Sequence, residues 1–210
     1  MAYSDVKAVF IEADTDAADT DGICASQTSG ATAGSLTING AKASGGVATL
    51  DSARQITLIT SANLSNKTFT ITGTDINGTT LTEDLTGPNN ETVTSTKHFK
   101  TVTAISFTAG TSGAMTAGFN TSAIAVVFSG RARVKGTFIV NSSNAGTVSF
   151  RDSSDAGESG TTRLQLGTVA SATAERDVTI PGEGILFTNG VYIPYTAGTT
   201  IFTNMTVFHA

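Results

Sequence analysis

Threonine recurs on alternate residues through long stretches of this chain. The clearest run is Thr68-Phe69-Thr70-Ile71-Thr72, then Asp75-Ile76-Asn77-Gly78, then Thr79-Thr80-Leu81-Thr82-Glu83-Asp84-Leu85-Thr86. Strict alternation is the period of a β-strand with one face buried and one in water. Threonine suits that setting, because its branched Cβ favours the pleated backbone and its hydroxyl tolerates solvent. The pattern predicts an antiparallel β scaffold and leaves little room for amphipathic helices.

Composition agrees. Of 210 residues only 14% are charged, against the ~25% usual for globular chains, while 39% are hydrophobic and 22 are glycine. Hydroxyls and glycines stand where charges would be, as in weakly charged sheets joined by tight turns. A net charge of −5 argues against general nucleic-acid binding, which leaves a basic footprint. The lone cysteine, Cys24, has no intrachain partner and sits among small apolar residues, so it reads as a buried small hydrophobe. The first residues show neither a basic n-region nor an apolar h-region, so no secretory signal is expected and synthesis in a cytoplasm is. The longest apolar run, 123–128, is strand-sized and far short of the ~18 residues of a membrane helix.

Turn signals divide the chain into many short strands. A first strand is expected over 6–11. Residues 12–22 follow with five carboxylates (Glu12, Asp14, Asp16, Asp19 and Asp21) and read as a solvated loop or arm. A hairpin is expected to join 35–38 to 47–50 through 39–46, with a further strand over 55–60. Asn77-Gly78 predicts a hairpin joining 68–72 to 79–85. Strands are then expected over 99–107 and near 115–119. Beyond 123 the strands become more apolar. Residues 131–140 are expected to pair with 147–151 through Asn144-Ala145-Gly146, and Asn189-Gly190 reads as another hairpin turn. Strands over 163–166, 177–180, 185–187, 191–193 and 200–208 complete the set, and 169–175 is the one stretch with helical potential. This spacing predicts two antiparallel β-sandwich or barrel-like domains in tandem. They comprise an N-terminal strand and acidic arm (1–22), a Thr-rich β domain (23–122) and a C-terminal β-sandwich (123–210).

The residues offer little machinery for chemistry. His98 and His209 have no metal-ligand spacing, and no Gly-x-Ser-x-Gly elbow or phosphate-cradling Gly-x-x-x-x-Gly-Lys-Ser/Thr loop is present. The run from Asp14 to Gly22 fails the EF-hand spacing, with its glycine too late. Gly182-Glu183-Gly184 after Pro181 reads as a tight turn. Nothing selects a carboxylate pair from Glu83, Asp84, Glu158 and Glu183. Tyr192 and Tyr195 either pack in a hairpin or form a small glycan contact. Catalytic residues, cofactors and metals are therefore not expected.

One pattern is sharper. Arg131, Arg133 and Lys135 alternate with Ala132 and Val134, so on a strand the three charges share a face. They form either a solvated face or a basic stripe that docks on an acidic surface of a partner or of another copy. Asp14, Asp16, Asp19 and Asp21 are the candidate complement within an oligomer.

Two sets of phrases carry a family resemblance. One is Gly34-Ser35-Leu36-Thr37-Ile38-Asn39-Gly40-Ala41, with Ser44-Gly45-Gly46-Val47-Ala48-Thr49-Leu50-Asp51 and Thr70-Ile71-Thr72-Gly73-Thr74-Asp75. The other is Gly130-Arg131-Ala132-Arg133-Val134-Lys135-Gly136, with Ile180-Pro181-Gly182-Glu183-Gly184-Ile185-Leu186-Phe187. In these the chain resembles small virion structural proteins of tailed bacteriophages. The resemblance implies a non-enzymatic β-rich protein on the capsid surface, a decoration or cement protein that holds neighbouring major capsid proteins together, commonly as a homotrimer. The acidic charge balance and the short apolar runs argue against nucleic-acid and membrane partners. The alternatives are a tail, neck or fibre component with a receptor- or glycan-binding role, and a cellular β-sandwich adhesin. The acidic arm and first domain are expected to dock on the capsid.

Overall fold

The computed structural model describes residues 5–28, 32–111 and 113–210. They form sixteen strands and no helix. In chain order these are β1 Lys7–Glu12, β2 Asp19–Gln27, β3 Gly34–Ser35, β4 Ala43–Ser44, β5 Val47–Thr60, β6 Thr68–Thr74, β7 Thr80–Thr86 and β8 Thr92–Phe107. They continue with β9 Met115–Phe128, β10 Ala132–Asn141, β11 Gly146–Asp152, β12 Thr161–Thr168, β13 Glu175–Thr179, β14 Ile185–Phe187, β15 Val191–Thr196 and β16 Phe202–His209. The fold is all-β and antiparallel, with sandwich-like sheets.

The chain divides into two compact units. One is Asp16–Ser122, and the other joins the residues up to Thr15 to Ala123–Ala210. The N-terminal strand thus belongs with the C-terminal unit. β1 lies antiparallel along β16, from Lys7 opposite His209 to Glu12 opposite Asn204.

In the Asp16–Ser122 unit the strand order is β9-β5-β8-β6-β7, with β2 on β9, β3 on β8 and β4 on β5. The β6–β7 hairpin shows why the threonines alternate. Phe69, Ile71 and Leu85 are buried, while Thr68, Thr70, Thr72 and Thr74 stand across from Thr86, Asp84, Thr82 and Thr80 on the wetter face. The turn is fixed by the Asp75 carboxylate, which accepts from the N–H of Asn77 (2.8 Å) and Thr79 (2.9 Å), with Gly78 at φ +81°. Strands β5 and β8 are long, and register shifts interrupt their pairing between Thr49 and Arg54 and again between Gln55 and Thr57. Such bulges bend a strand and raise its twist. Beneath them lies a core of Ile23, Leu50, Ile56, Leu58, Leu64, Phe69, Ile71 and Phe99, all essentially inaccessible. Each such side chain contributes about 1.5–3 kcal/mol relative to exposure.

The second unit is a sandwich of two layers. One layer runs β1-β16-β10-β13, with β14 also on β10, and the other runs β12-β11-β15-β9. Phe150, Phe187, Val191, Ile193, Phe202, Met205 and Val207 fill the space between the layers.

Three expected hairpins are not formed. Residues 35–38 do not pair with 47–50: Ser35 pairs with Ser106, and the turn into β5 is the two-residue Gly45-Gly46, both at positive φ. β10 does not pair with β11, because the two strands lie in different layers. The same holds for β14 and β15 around Asn189-Gly190. Turn-forming residues reverse the chain equally well within a sheet or over the end of a sandwich, so turn chemistry alone does not select the partner. Residues 169–175 form turns and bends.

Candidate functional site

The acidic stretch is a partly exposed loop over 13–18 that runs into β2, rather than a free arm. Asp19 and Asp21 lie on β2, where the Asp19 carboxylate accepts from the Asp21 N–H at 3.1 Å. Asp14 is 9% exposed. Its N–H donates to the Tyr195 hydroxyl (3.2 Å), and its carbonyl accepts from the Gly198 N–H (3.2 Å). Charge count suggested a free segment, but backbone pairing and one tyrosine hydroxyl order it.

Asp16 is engaged within its own unit. Its carboxylate meets the Lys42 ammonium, which also donates to Asp51 at 2.7 Å. The hydrogen bond to Asp16, then that to Asp51, raises the Lys42 pKa. The bond from Lys42 holds Asp51 below the usual carboxylate range. Beside this group lies a cation that no sequence signal singled out. Arg54 is 1% exposed and donates to the carbonyls of Asn120 (2.8 Å) and Asp16 (2.9 Å) and to the Ser52 hydroxyl (3.1 Å). Its guanidinium carbon sits 5.3 Å from the centre of the Phe119 ring. A guanidinium can be buried this way because its fork of donors satisfies several acceptors at once.

The basic stripe has the alternation read from the sequence. Ala132 and Val134 are buried, while Arg131 is exposed and Arg133 and Lys135 are half-buried. Lys135 donates to the Gly182 carbonyl (3.2 Å), and Arg133 approaches the Glu183 and Gly184 carbonyls (3.5 Å each). These two side chains brace the 181–184 turn, in which Gly182 and Gly184 have positive φ. Arg131 instead lines a cleft of about 360 Å³ with Asp5, Lys7, Phe128, Ala132, His209 and Ala210. The His209 ring lies 5.3 Å from that of Phe128, and burial, then Lys7, lowers the His209 pKa. Asp16, Asp19 and Asp21 belong to one unit, and Asp14 belongs with Arg131, Arg133 and Lys135 to the other.

The other sequence candidates are accounted for structurally. Tyr192 is 3% exposed and the Tyr195 ring packs on Phe202 at 5.4 Å, so neither offers an open platform for a sugar. The Glu83 carboxylate accepts from the N–H groups of Thr96 (2.8 Å) and Lys97 (3.0 Å). Asp84 accepts from the Thr70 hydroxyl at 2.6 Å.

A second buried polar node also escaped the sequence reading. Asp152 ends β11 and accepts from the Thr188 N–H (3.1 Å) and hydroxyl (3.0 Å), the Asn189 N–H (2.9 Å) and Arg163 (3.1 Å). Burial pushes its pKa up, but these donors together outweigh burial and hold it at about 2. The node ties the β14–β15 crossing to β11 and is structural.

Several large apolar side chains also remain exposed. Among the described residues the large exposed hydrophobics are Val6, Phe10, Phe128, Val169 and Phe208, and all five lie in the unit that contains β1. No protein-family model, curated protein or solved structure matches this chain.

Proposed function

We propose that this chain is a non-enzymatic structural protein of a tailed-phage virion, a capsid decoration protein that binds the major capsid protein and further copies of itself. The resemblance of its short phrases to those of such proteins supports the reading, and one structural observation adds most to it. The exposed large apolar side chains gather on one unit, whereas the other presents threonine hydroxyls. Exposed apolar groups that adjoin, as Phe208 and Phe10 do on the outer face of β16 and β1, mark protein contact surfaces. Hydroxyl-rich strands suit the side turned to solvent.

The docking side is therefore assigned to the unit of β1 and Ala123–Ala210. This departs from the expectation that the acidic arm and first domain dock on the capsid, and Asp19–Gln27 is a strand rather than a free arm.

The test is the copy number in purified particles, by quantitative mass spectrometry against the major capsid protein. A fixed ratio to the capsid lattice supports decoration. A few copies per particle points to the tail, neck or fibre reading, and absence from particles ends the virion assignment.

A further inference from the structure

β1 ends its sheet. Among the described strands β1 pairs only with β16, so its other side is open. The Ala13 N–H donates to the Thr203 carbonyl at 3.0 Å, continuing the β1–β16 register. Main-chain bonds in an antiparallel pair use alternate residues. Lys7, Val9 and Ile11 therefore turn their backbone groups to β16, and Ala8, Phe10 and Glu12 turn theirs outward. The far side of β16 agrees with this parity. Ala210 exchanges both bonds with Arg133, at 2.9 and 2.7 Å, placing the even-numbered positions of that strand toward β10.

Open edges are usually blunted by charge. β13 carries Glu175-Arg176-Asp177 and β7 carries Glu83-Asp84. β1 differs, because its charges stand at its two ends, Lys7 and Glu12, and the outward residues between them are Ala8 and Phe10, the latter 63% exposed. Across the sheet, Phe208 is opposite Ala8 on one side and Gly136 on the other. It is 37% exposed and lies over the space that Gly136 leaves.

We propose that a second copy of this chain docks on this edge, β1 antiparallel to β1, with a two-fold axis at Phe10. In that register Ala8 faces Glu12 of the other copy and Phe10 faces Phe10. Each outward N–H and C=O of Ala8, Phe10 and Glu12 then meets a partner. Symmetry fixes the direction: a two-fold axis normal to the sheet makes the two strands antiparallel and sets the exposed Phe10 of each copy against the other. A two-fold closes on itself and leaves neither edge open. The proposal does not depend on the virion reading, since copy number on particles and pairing in solution are separate measurements.

Sedimentation equilibrium of the full chain tests it, comparing wild type with Phe10→Asp. The side chain is largely exposed, so the variant should keep its melting temperature and circular dichroism while its dimer weakens at least about thirtyfold. A second variant, Phe10→Cys, checks the register. A short bis-maleimide should join it into covalent dimers in the folded state, where the native Cys24 is inaccessible. A monomeric wild type, a trimer, a dimer indifferent to Phe10→Asp, or a Phe10→Cys protein that does not crosslink overturns the proposal.

Discussion

The Arg163 guanidinium meets the Asp152 carboxylate at 3.1 Å, but the two ends of this ion pair are unequal: the Asp152 side chain is 1% exposed and that of Arg163 43%. Removing the exposed partner leaves Asp152 with the Thr188 and Asn189 donors. Turning the buried carboxylate into an amide keeps one acceptor oxygen but sets an NH2 against the remaining donors. Arg163→Ala should therefore cost about 0–1 kcal/mol, and Asp152→Asn about 3 kcal/mol. Urea unfolding of both variants checks the asymmetry, and equal costs would show that the node is not organised around Asp152.

Acid should reveal the same carboxylate. Its folded pKa, about 2, lies below its ordinary 3.8, so the unfolded chain binds the proton more readily. The resulting stabilisation is present above pH ~4 and is lost as pH falls toward ~2, and it amounts to about 2 kcal/mol. The stability gap between wild type and Asp152→Asn should narrow over that window. A gap that stays constant between pH 5 and pH 2 contradicts the assignment.

The alternating threonines made the strands legible, because burial on one face imposes a period that survives in the sequence. The β6–β7 hairpin was readable to its turn, since Asn77-Gly78 and the Thr/Phe/Ile alternation agree. Strand partners were less legible. Asn144-Ala145-Gly146 and Asn189-Gly190 look like hairpin turns, yet each carries the chain from one layer to the other. The buried polar residues were not legible at all. Arg54 sits in a strand among Ser, Ala and Gln, and its role depends on the carbonyls of Asn120 and Asp16, which lie far from it in sequence. Phe10 was read only as part of a strand, because an open edge is a property of the whole sheet.

Arg54 carries its own prediction. Its charge is held by carbonyls and by the Phe119 ring inside the Asp16–Ser122 unit. Arg54→Met keeps most of the apolar stem but strands the Asn120 and Asp16 carbonyls. The expected loss is about 3 kcal/mol, read by thermal or urea unfolding. A loss under about 1 kcal/mol would mean that the guanidinium contributes packing alone.

Gly73 marks where β6 meets the bulge in β8. The register shifts between Thr72 and Gly73, and a Cβ at Gly73 would lie 1.9 Å from the Thr101 carbonyl oxygen. That contact is with backbone and cannot be relieved by a rotamer. Gly73→Ala should destabilise by about 1–3 kcal/mol through forced strand movement. Thr72→Ala, one residue away on the wetter face, should stay within about 0.5 kcal/mol. Similar losses for the two variants would contradict the close approach.

Cys24 gives a probe of the whole Thr-rich unit. It is fully buried, and burial pushes its thiol pKa to about 12. The thiolate is the reactive form, and the folded protein both withholds the proton's release and blocks access. Alkylation should therefore require opening of the core formed by Ile23, Leu50, Ile56 and Phe99. In dilute denaturant, labelling should follow the unfolding free energy of the Asp16–Ser122 unit and slow in step with it as stability rises. Gly73→Ala and Arg54→Met, which act inside that unit, should accelerate labelling in proportion to their cost. Asp152→Asn acts in the other unit, so if the units open independently it should leave the rate unchanged. Acceleration by all three variants would show instead that the two units unfold as one cooperative body.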